Sequence, residues 1–198
     1  MARLQSHFEE KINASSHALG AILGLIGLIL LIDKSINGTF QELISVVVYG
    51  ISIIILFTAS ALYHAINDES KKHIFRIIDH ISIYILIAGT YTPVLLITLP
   101  ESYGWPLLWI VWGIAIFGLI LKTFYTGRFE IFSTLLYLIM GWLIVVDLKA
   151  LIELMDVGGL ILMAAGGFFY TVGIIFYSIE RIPYNHNIWH LFVLAGAV

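Results

Sequence analysis

A membrane-spanning character is plainest in the segment Leu43-Ile-Ser-Val-Val-Val-Tyr-Gly-Ile-Ser-Ile-Ile-Ile-Leu-Phe-Thr-Ala-Ser-Ala-Leu-Tyr-His64, which contains no Asp, Glu, Lys or Arg. A helix that crosses a bilayer needs about 20 consecutive apolar residues. Because the run does not alternate between apolar and polar positions, it predicts a membrane helix rather than a barrel strand. Ser60 and His64 lie at its end with an i, i+4 spacing, which puts both side chains on one helix face.

The rest of the chain has the same character. Of its 198 residues, 60% are hydrophobic and 12% are charged, whereas a soluble domain carries about 25% charged residues. We therefore predict an all-α integral membrane protein of the cell membrane, built as a single domain over residues 1–198 with seven transmembrane helices. The predicted spans cover about 14–32, 43–64, 77–99, 105–124, 129–146 and 157–179, and a last span starts near His186.

The two ends of the chain need separate predictions. Residues 1–13 are polar and suit a short interfacial helix, and they lack the basic region and cleavage site of a signal peptide. We therefore expect the first apolar run to be retained as a span. Only 13 residues run from His186 to Val198. The last helix is thus expected either to be cut short or to cross half the membrane, held by its neighbours.

The basic residues predict the orientation of the bundle. With the N-terminus inside and the C-terminus outside, eight basic residues fall on the inner side and two on the outer side. This distribution obeys the positive-inside rule. The inner set is Arg3, Lys11, Lys71, Lys72, Arg76, Lys122, Arg128 and Arg181, and the outer set is Lys34 and Lys149.

Alternating span directions bring the rare polar residues of the spans to one depth. Ser60 and His64 lie at the inner end of their span, Asp79 lies near the inner start of the next, and His186 and His190 open the last. Ionisable groups within a membrane are costly, and they usually face the interior of a bundle in paired or functional roles. We therefore predict that the five residues meet at the inner side.

Three neutral imidazoles suit a zinc ion, and a catalytic zinc site has three protein ligands and an open position. The prediction is that His64, His186 and His190 bind zinc. Asp79 would then either act as general base towards water or support the site from outside the ligand set. Ser60 would assist by hydrogen bonding to the water or to a developing oxyanion. The His-Asn-Ile-Trp-His pair lacks the glutamate of the His-Glu-x-x-His protease motif, so the base must come from another helix.

Several of these features also have simpler explanations. A His-x-x-x-His pair alone is a weak sign of metal binding. A helical serine such as Ser60 often bonds only to the carbonyl of the preceding turn. His80 is rotated by about 100° from Asp79, so it is expected to face another helix and to hydrogen-bond there. His17 either lines the same cavity or, as predicted here, is a polar residue of the interface. Gly20, Gly24 and Gly27 are predicted to allow close helix approach.

Composition argues against cysteine-based sites and against a nucleic-acid partner. The chain has no cysteine, which excludes disulfides and cysteine-ligated zinc. Its formal net charge is only −3, and no nucleic-acid partner is expected.

The pattern Ser60-x-x-x-His64, Asp79 and His186-x-x-x-His190 resembles the hemolysin III branch of the progestin and adipoQ receptor superfamily. Flanking stretches are also similar, namely Phe57-Thr-Ala-Ser-Ala-Leu-Tyr-His64, Asp79-His80, Gly89-Thr-Tyr-Thr-Pro93 and Glu10-x-x-Asn13-x-x-x-His17. The resemblance implies a seven-helix fold and zinc near the inner leaflet, held by the three histidines. Asp79 would contact water at the zinc, with Ser60 as a nearby hydroxyl.

The resemblance also implies functions. The superfamily and the similar alkaline ceramidases suggest zinc-dependent hydrolysis of lipid amides or esters, with membrane lipids as partners and a part in membrane-lipid homeostasis. Two alternatives stay open at this point. One is a cytolytic or pore-forming membrane protein, and the other is a receptor-like lipid sensor with structural zinc. The oligomeric state is not predicted.

Overall fold

The computed structural model describes residues 5–179 and 181–197, and the regular elements of that part of the chain are all helical. This confirms the predicted all-α membrane fold. Arg3 and Val198, which entered the predictions of orientation and of the last span, lie outside the described residues. The helices are α1 (His7–Ser35), α2 (Phe40–Ala65), α3 (Glu69–Pro93, continued by a π-helical turn at Val94–Thr98), α4 (Gly104–Tyr125), α5 (Glu130–Trp142, continued by a 3-10 turn at Leu143–Asp147), α6 (Leu148–Leu154), α7 (Val157–Ser178) and α8 (Asn185–Ala197).

Six apolar stretches of the described chain are long enough to cross a membrane, and the fifth, Glu130–Leu154, joins α5 to α6. α8 stands where the seventh span was predicted. Its 13 described residues measure about 20 Å along the helix axis, whereas the hydrocarbon core of a bilayer is about 30 Å thick. The six long stretches are therefore close to the predicted count of seven, and a short helix lies where the seventh span was predicted. The orientation of the termini stays a prediction.

Side-chain caps make two helices begin earlier than predicted. Ser6 and Glu9 form a reciprocal capping box, in which Ser6 N donates to Glu9 Oε2 at 2.8 Å and Glu9 N donates to Ser6 Oγ at 3.2 Å. The prediction of a separate interfacial helix over residues 1–13 is therefore wrong, because this box starts one continuous helix at His7. Likewise Asp68 accepts a bond from Lys71 N at 2.9 Å, so α3 begins two turns before the apolar run.

Close contact between α1 and α2 depends on small residues. A Cβ atom at Gly20 would lie 2.6 Å from the Phe57 ring, and one at Gly24 would lie 2.6 Å from Ile53. These contacts confirm the predicted close approach at both positions. The prediction for Gly27 is wrong, since a Cβ atom there would meet nothing within 4 Å.

The helix arrangement brings the two ends of the chain together. α1 packs against both α2 and α8, while α2 also packs against α3 and α8 packs against α7. Phe57 of α2, Leu86 of α3 and Val193 of α8 belong to one buried apolar cluster. Side chains of α2 and α8 therefore meet while α8 packs along α1 and α7, and the histidines at the beginning of α8 lie against His64 at the end of α2.

Candidate metal centre

Three histidines from two helices converge at the end of the bundle that was predicted to be the inner one. One ring nitrogen from each of His64, His186 and His190 lies within 4.8 Å of the others. The ring centroids are 5.2 Å apart for His64 and His186, 4.8 Å for His64 and His190, and 4.6 Å for His186 and His190. His64 and His190 are buried and His186 is half-buried. The helical spacing within α8 and the docking of α8 on α2 thus create the cluster.

The unpaired atoms of the cluster fit a metal ion. Among the described residues, His64 Nε2, His186 Nε2 and His190 Nδ1 are buried and have no hydrogen-bond partner. Leaving a buried polar atom unpaired costs about 1–3 kcal/mol, and coordination to a metal ion is one way to satisfy such an atom. The three histidines could therefore hold a metal ion.

Asp79 and Ser60 lie beside this cluster. Asp79 is buried at 9% exposure and Ser60 at 1%. Asp79 interacts electrostatically with His64 and with the Ser60 hydroxyl. The structure thus brings all five sequence-predicted residues to one end of the bundle. Their roles as ligands, base and assisting hydroxyl stay predictions.

α1 contacts the Nδ1 side of the His64 ring, and the sequence analysis did not predict this contact. Glu10 Oε2 lies 2.6 Å from His64 Nδ1, and Glu10 Oε1 accepts a bond from Lys72 Nζ at 2.7 Å. Glu10 therefore connects the end of α2 to the start of α3. Its place in Glu10-x-x-Asn13-x-x-x-His17 was the available signal, since residues at i, i+3 and i+7 share one face of a helix.

Asn13 and His17 continue this face of α1 and contact α8. Asn187 Nδ2 donates to Asn13 Oδ1 at 2.6 Å. The His17 ring stacks on His190, with centroids 3.7 Å apart and an angle of 19° between planes. His17 Nε2 also lies 3.4 Å from the carbonyl oxygen of His190. The prediction that His17 is an interfacial residue is wrong, because α8 covers it and leaves it 2% exposed.

His80 belongs to a different polar cluster. Its Nδ1 lies 3.9 Å from Glu130 Oε1 of α5, and Glu130 also pairs with the buried Lys122 at 2.7 Å. The ring thus faces another helix, as predicted. His80 Nδ1 does not make the expected hydrogen bond, since it has no partner among the described residues.

Comparison with known proteins places this arrangement in a family. Residues 5–198 match the family described as Haemolysin-III related. The chain is 48% identical to Hemolysin-3 of Bacillus cereus over 100% of its own length and 91% of the relative. It is 43% identical to a Hemolysin-3 homolog of Bacillus subtilis (strain 168), with 96% of this chain and 89% of the relative covered. Monocyte to macrophage differentiation factor of Homo sapiens is 28% identical, over 96% of this chain and 80% of that protein. The chain therefore belongs to the Haemolysin-III related family of multi-pass integral membrane proteins.

Proposed function

We propose that the protein is a zinc-dependent hydrolase that cleaves an amide or ester bond of a membrane lipid. The observation that carries this proposal is the set of unpaired ring nitrogens on His64, His186 and His190, with the Asp79 carboxyl beside them. Three histidines with an open fourth position are a known ligand set of catalytic zinc. When bound, zinc supplies a Lewis acid that polarises a carbonyl and activates water at neutral pH.

Asp79 is proposed as the general base. A carboxylate oxygen of Asp79 takes a proton from the attacking water, whose oxygen bonds to the carbonyl carbon of the lipid. The same carboxyl then returns the proton to the leaving amine or alcohol as the bond to the carbonyl carbon breaks. The Ser60 hydroxyl interacts with this carboxyl and is proposed to orient it before substrate arrives, and burial of both side chains keeps bulk water from competing.

A lipid substrate suits the surroundings of the site. The cluster lies among helices of which six stretches are apolar and long enough to span a membrane. A substrate with acyl chains reaches such a site sideways from the bilayer, between helices. The resemblance to alkaline ceramidases makes ceramide the first lipid amide to test.

The experiment combines elemental analysis with hydrolysis of ceramide by detergent-purified protein. We expect about one zinc per chain in the wild type, as in other single catalytic zinc sites. His190→Ala should lose the zinc and the activity together. Asp79→Asn should keep the zinc and lose turnover by about 10²–10⁴-fold, because it removes the base without touching a ligand. His73→Ala and Asp33→Asn are the matched controls, since both residues are exposed.

Two results would overturn the proposal. The first is full activity in zinc-free His190→Ala protein, which would remove the metal from the reaction. The second is a folded wild-type protein that binds no zinc. The unpaired nitrogens of the histidine cluster would then have to belong to a hydrogen-bond network completed by water.

A cytolytic function is the second candidate, favoured by the name Hemolysin-3 of the Bacillus cereus relative. Ion flux from liposomes that contain only the purified protein tests it. Flux that survives replacement of all three clustered histidines would favour a pore that is independent of the metal. Lipid binding without product formation would instead favour a lipid sensor in which zinc is structural.

A further inference from the structure

The contact between Glu10 and His64 determines which nitrogen of His64 is free. Glu10 Oε2 lies 2.6 Å from His64 Nδ1, while His64 Nε2 is buried without a hydrogen-bond partner. A carboxylate only accepts hydrogen bonds, so Nδ1 must carry a proton to donate to it. In a neutral imidazole the other nitrogen, Nε2, then has the lone pair that a metal requires.

We propose that Glu10 is a positioning residue that selects the Nδ1–H form of His64 and aims Nε2 at the metal. This inference rests on the proposed metal at the histidine cluster. The His64 side chain is 0% exposed and that of Glu10 is 19% exposed, so the bond between them is largely shielded from water. An outer carboxylate that holds a metal-binding histidine also raises the basicity of the ring.

Lys72 holds the second oxygen of Glu10. Its Nζ lies 2.7 Å from Glu10 Oε1 and 5.3 Å from the centre of the Tyr63 ring, the residue that precedes His64. Glu10 thus receives one donor from α2 and one from α3, and its two oxygens match these two donors. A glutamine at this position has one acceptor oxygen and one donor amide, so it would leave one of the two donors without an acceptor.

Substitution of Glu10 is expected to reduce metal affinity less than substitution of a ligand does. Loss of an outer partner of a ligand lowers metal affinity by about 10–100-fold, whereas loss of a ligand removes the site. We therefore expect Glu10→Gln to keep the zinc stoichiometry at saturating metal and to weaken affinity within that range. Lys72→Met should weaken affinity by a smaller factor, since Glu10 remains to accept from His64.

The test is a competition titration of zinc against a chelator with the full-length, detergent-purified protein. Wild type is compared with Glu10→Gln, Lys72→Met and the control Glu69→Gln, which removes one carboxylate from an exposed position at the start of α3. Unchanged affinity in Glu10→Gln would overturn the proposal. An equal loss of affinity in Glu69→Gln would also overturn it, because the effect would then come from the loss of one negative charge and not from the contact with His64.

A second measurement tests the role of Glu10 in protein that contains no metal. Nitrogen NMR of histidine-labelled, metal-free protein reports the protonated ring nitrogen of His64, assigned with a His64→Asn variant. We expect Nδ1–H in the wild type and a mixture of both forms in Glu10→Gln. An Nε2–H form in the wild type would overturn the role of Glu10 whether or not zinc binds. A wild type that binds no zinc but shows Nδ1–H would instead contradict the proposed function and leave the tautomer assignment supported. Should Glu10→Gln not fold, the same two measurements are made on Lys72→Met. Full wild-type affinity in that variant would then overturn the positioning role of Glu10.

Discussion

The Asn187 side chain donates to Asn13 Oδ1 across 2.6 Å, which ties the last described helix to the first. The same amide also reaches the backbone carbonyl of Glu9 at 2.9 Å. Asn187 lies within the turn that separates His186 from His190, so these bonds hold that turn of α8 against α1. Consequently the residues that anchor α8 and the residues that face the metal centre share one helical turn.

Asn187→Ala is expected to destabilise the protein. The substitution leaves the buried Asn13 oxygen without this donor, at a cost of about 1–3 kcal/mol. Thermal unfolding in detergent measures the effect, with Asn67→Ala as the control because Asn67 is exposed. Equal unfolding midpoints for the two variants would show that these bonds do not hold α8.

His17→Ala is expected to weaken metal binding without abolishing it. Its ring supports His190 by stacking at 3.7 Å, but its nitrogens are not among the three that converge. Elemental analysis at saturating zinc should therefore give the wild-type stoichiometry, and a chelator competition should give a lower affinity. Loss of all zinc from His17→Ala would contradict this and would make His17 a ligand.

Gly20→Ala and Gly27→Ala are expected to have opposite effects on stability. A methyl group at Gly20 would lie 2.6 Å from the Phe57 ring, and overpacking of this kind costs about 1–3 kcal/mol. At Gly27 nothing lies within 4 Å, so alanine should stabilise α1 through its helix propensity, by up to about 1 kcal/mol. Unfolding midpoints of the two variants make the comparison. An unchanged unfolding midpoint in Gly20→Ala would mean that α1 and α2 can move apart without a loss of stability.

The orientation can be tested with cysteine labelling, because the chain has no cysteine of its own. Asn37→Cys lies in the loop predicted to be outside, and Asn67→Cys lies in the loop predicted to be inside. A membrane-impermeant maleimide should label the first in intact cells and the second only after the membrane is opened. The reverse pattern would invert the bundle and move the histidine cluster to the outer side.

Apolar run length and charge distribution were sufficient to predict an all-α membrane bundle. Both are local properties of the sequence. An apolar run in a bilayer forms a helix because an unpaired backbone polar group in hydrocarbon is too costly. The same argument led to Ser60, His64, Asp79, His186 and His190, since a polar residue within an apolar run stands out. It misjudged the helix beginnings at His7 and Glu69, where a polar segment continues the helix and capping side chains start it.

The sequence by itself therefore determined the membrane helices and the five polar residues that line one end of the bundle. Only the tertiary structure decided what supports them, namely Glu10 and Lys72 behind His64 and Asn13 and His17 against α8. In the sequence these four residues lie in polar or interfacial segments and look solvated. Their degree of burial and their partners depend on how α1 is rotated and on where α8 docks, and both are set by the packing of helices that are far apart in the chain.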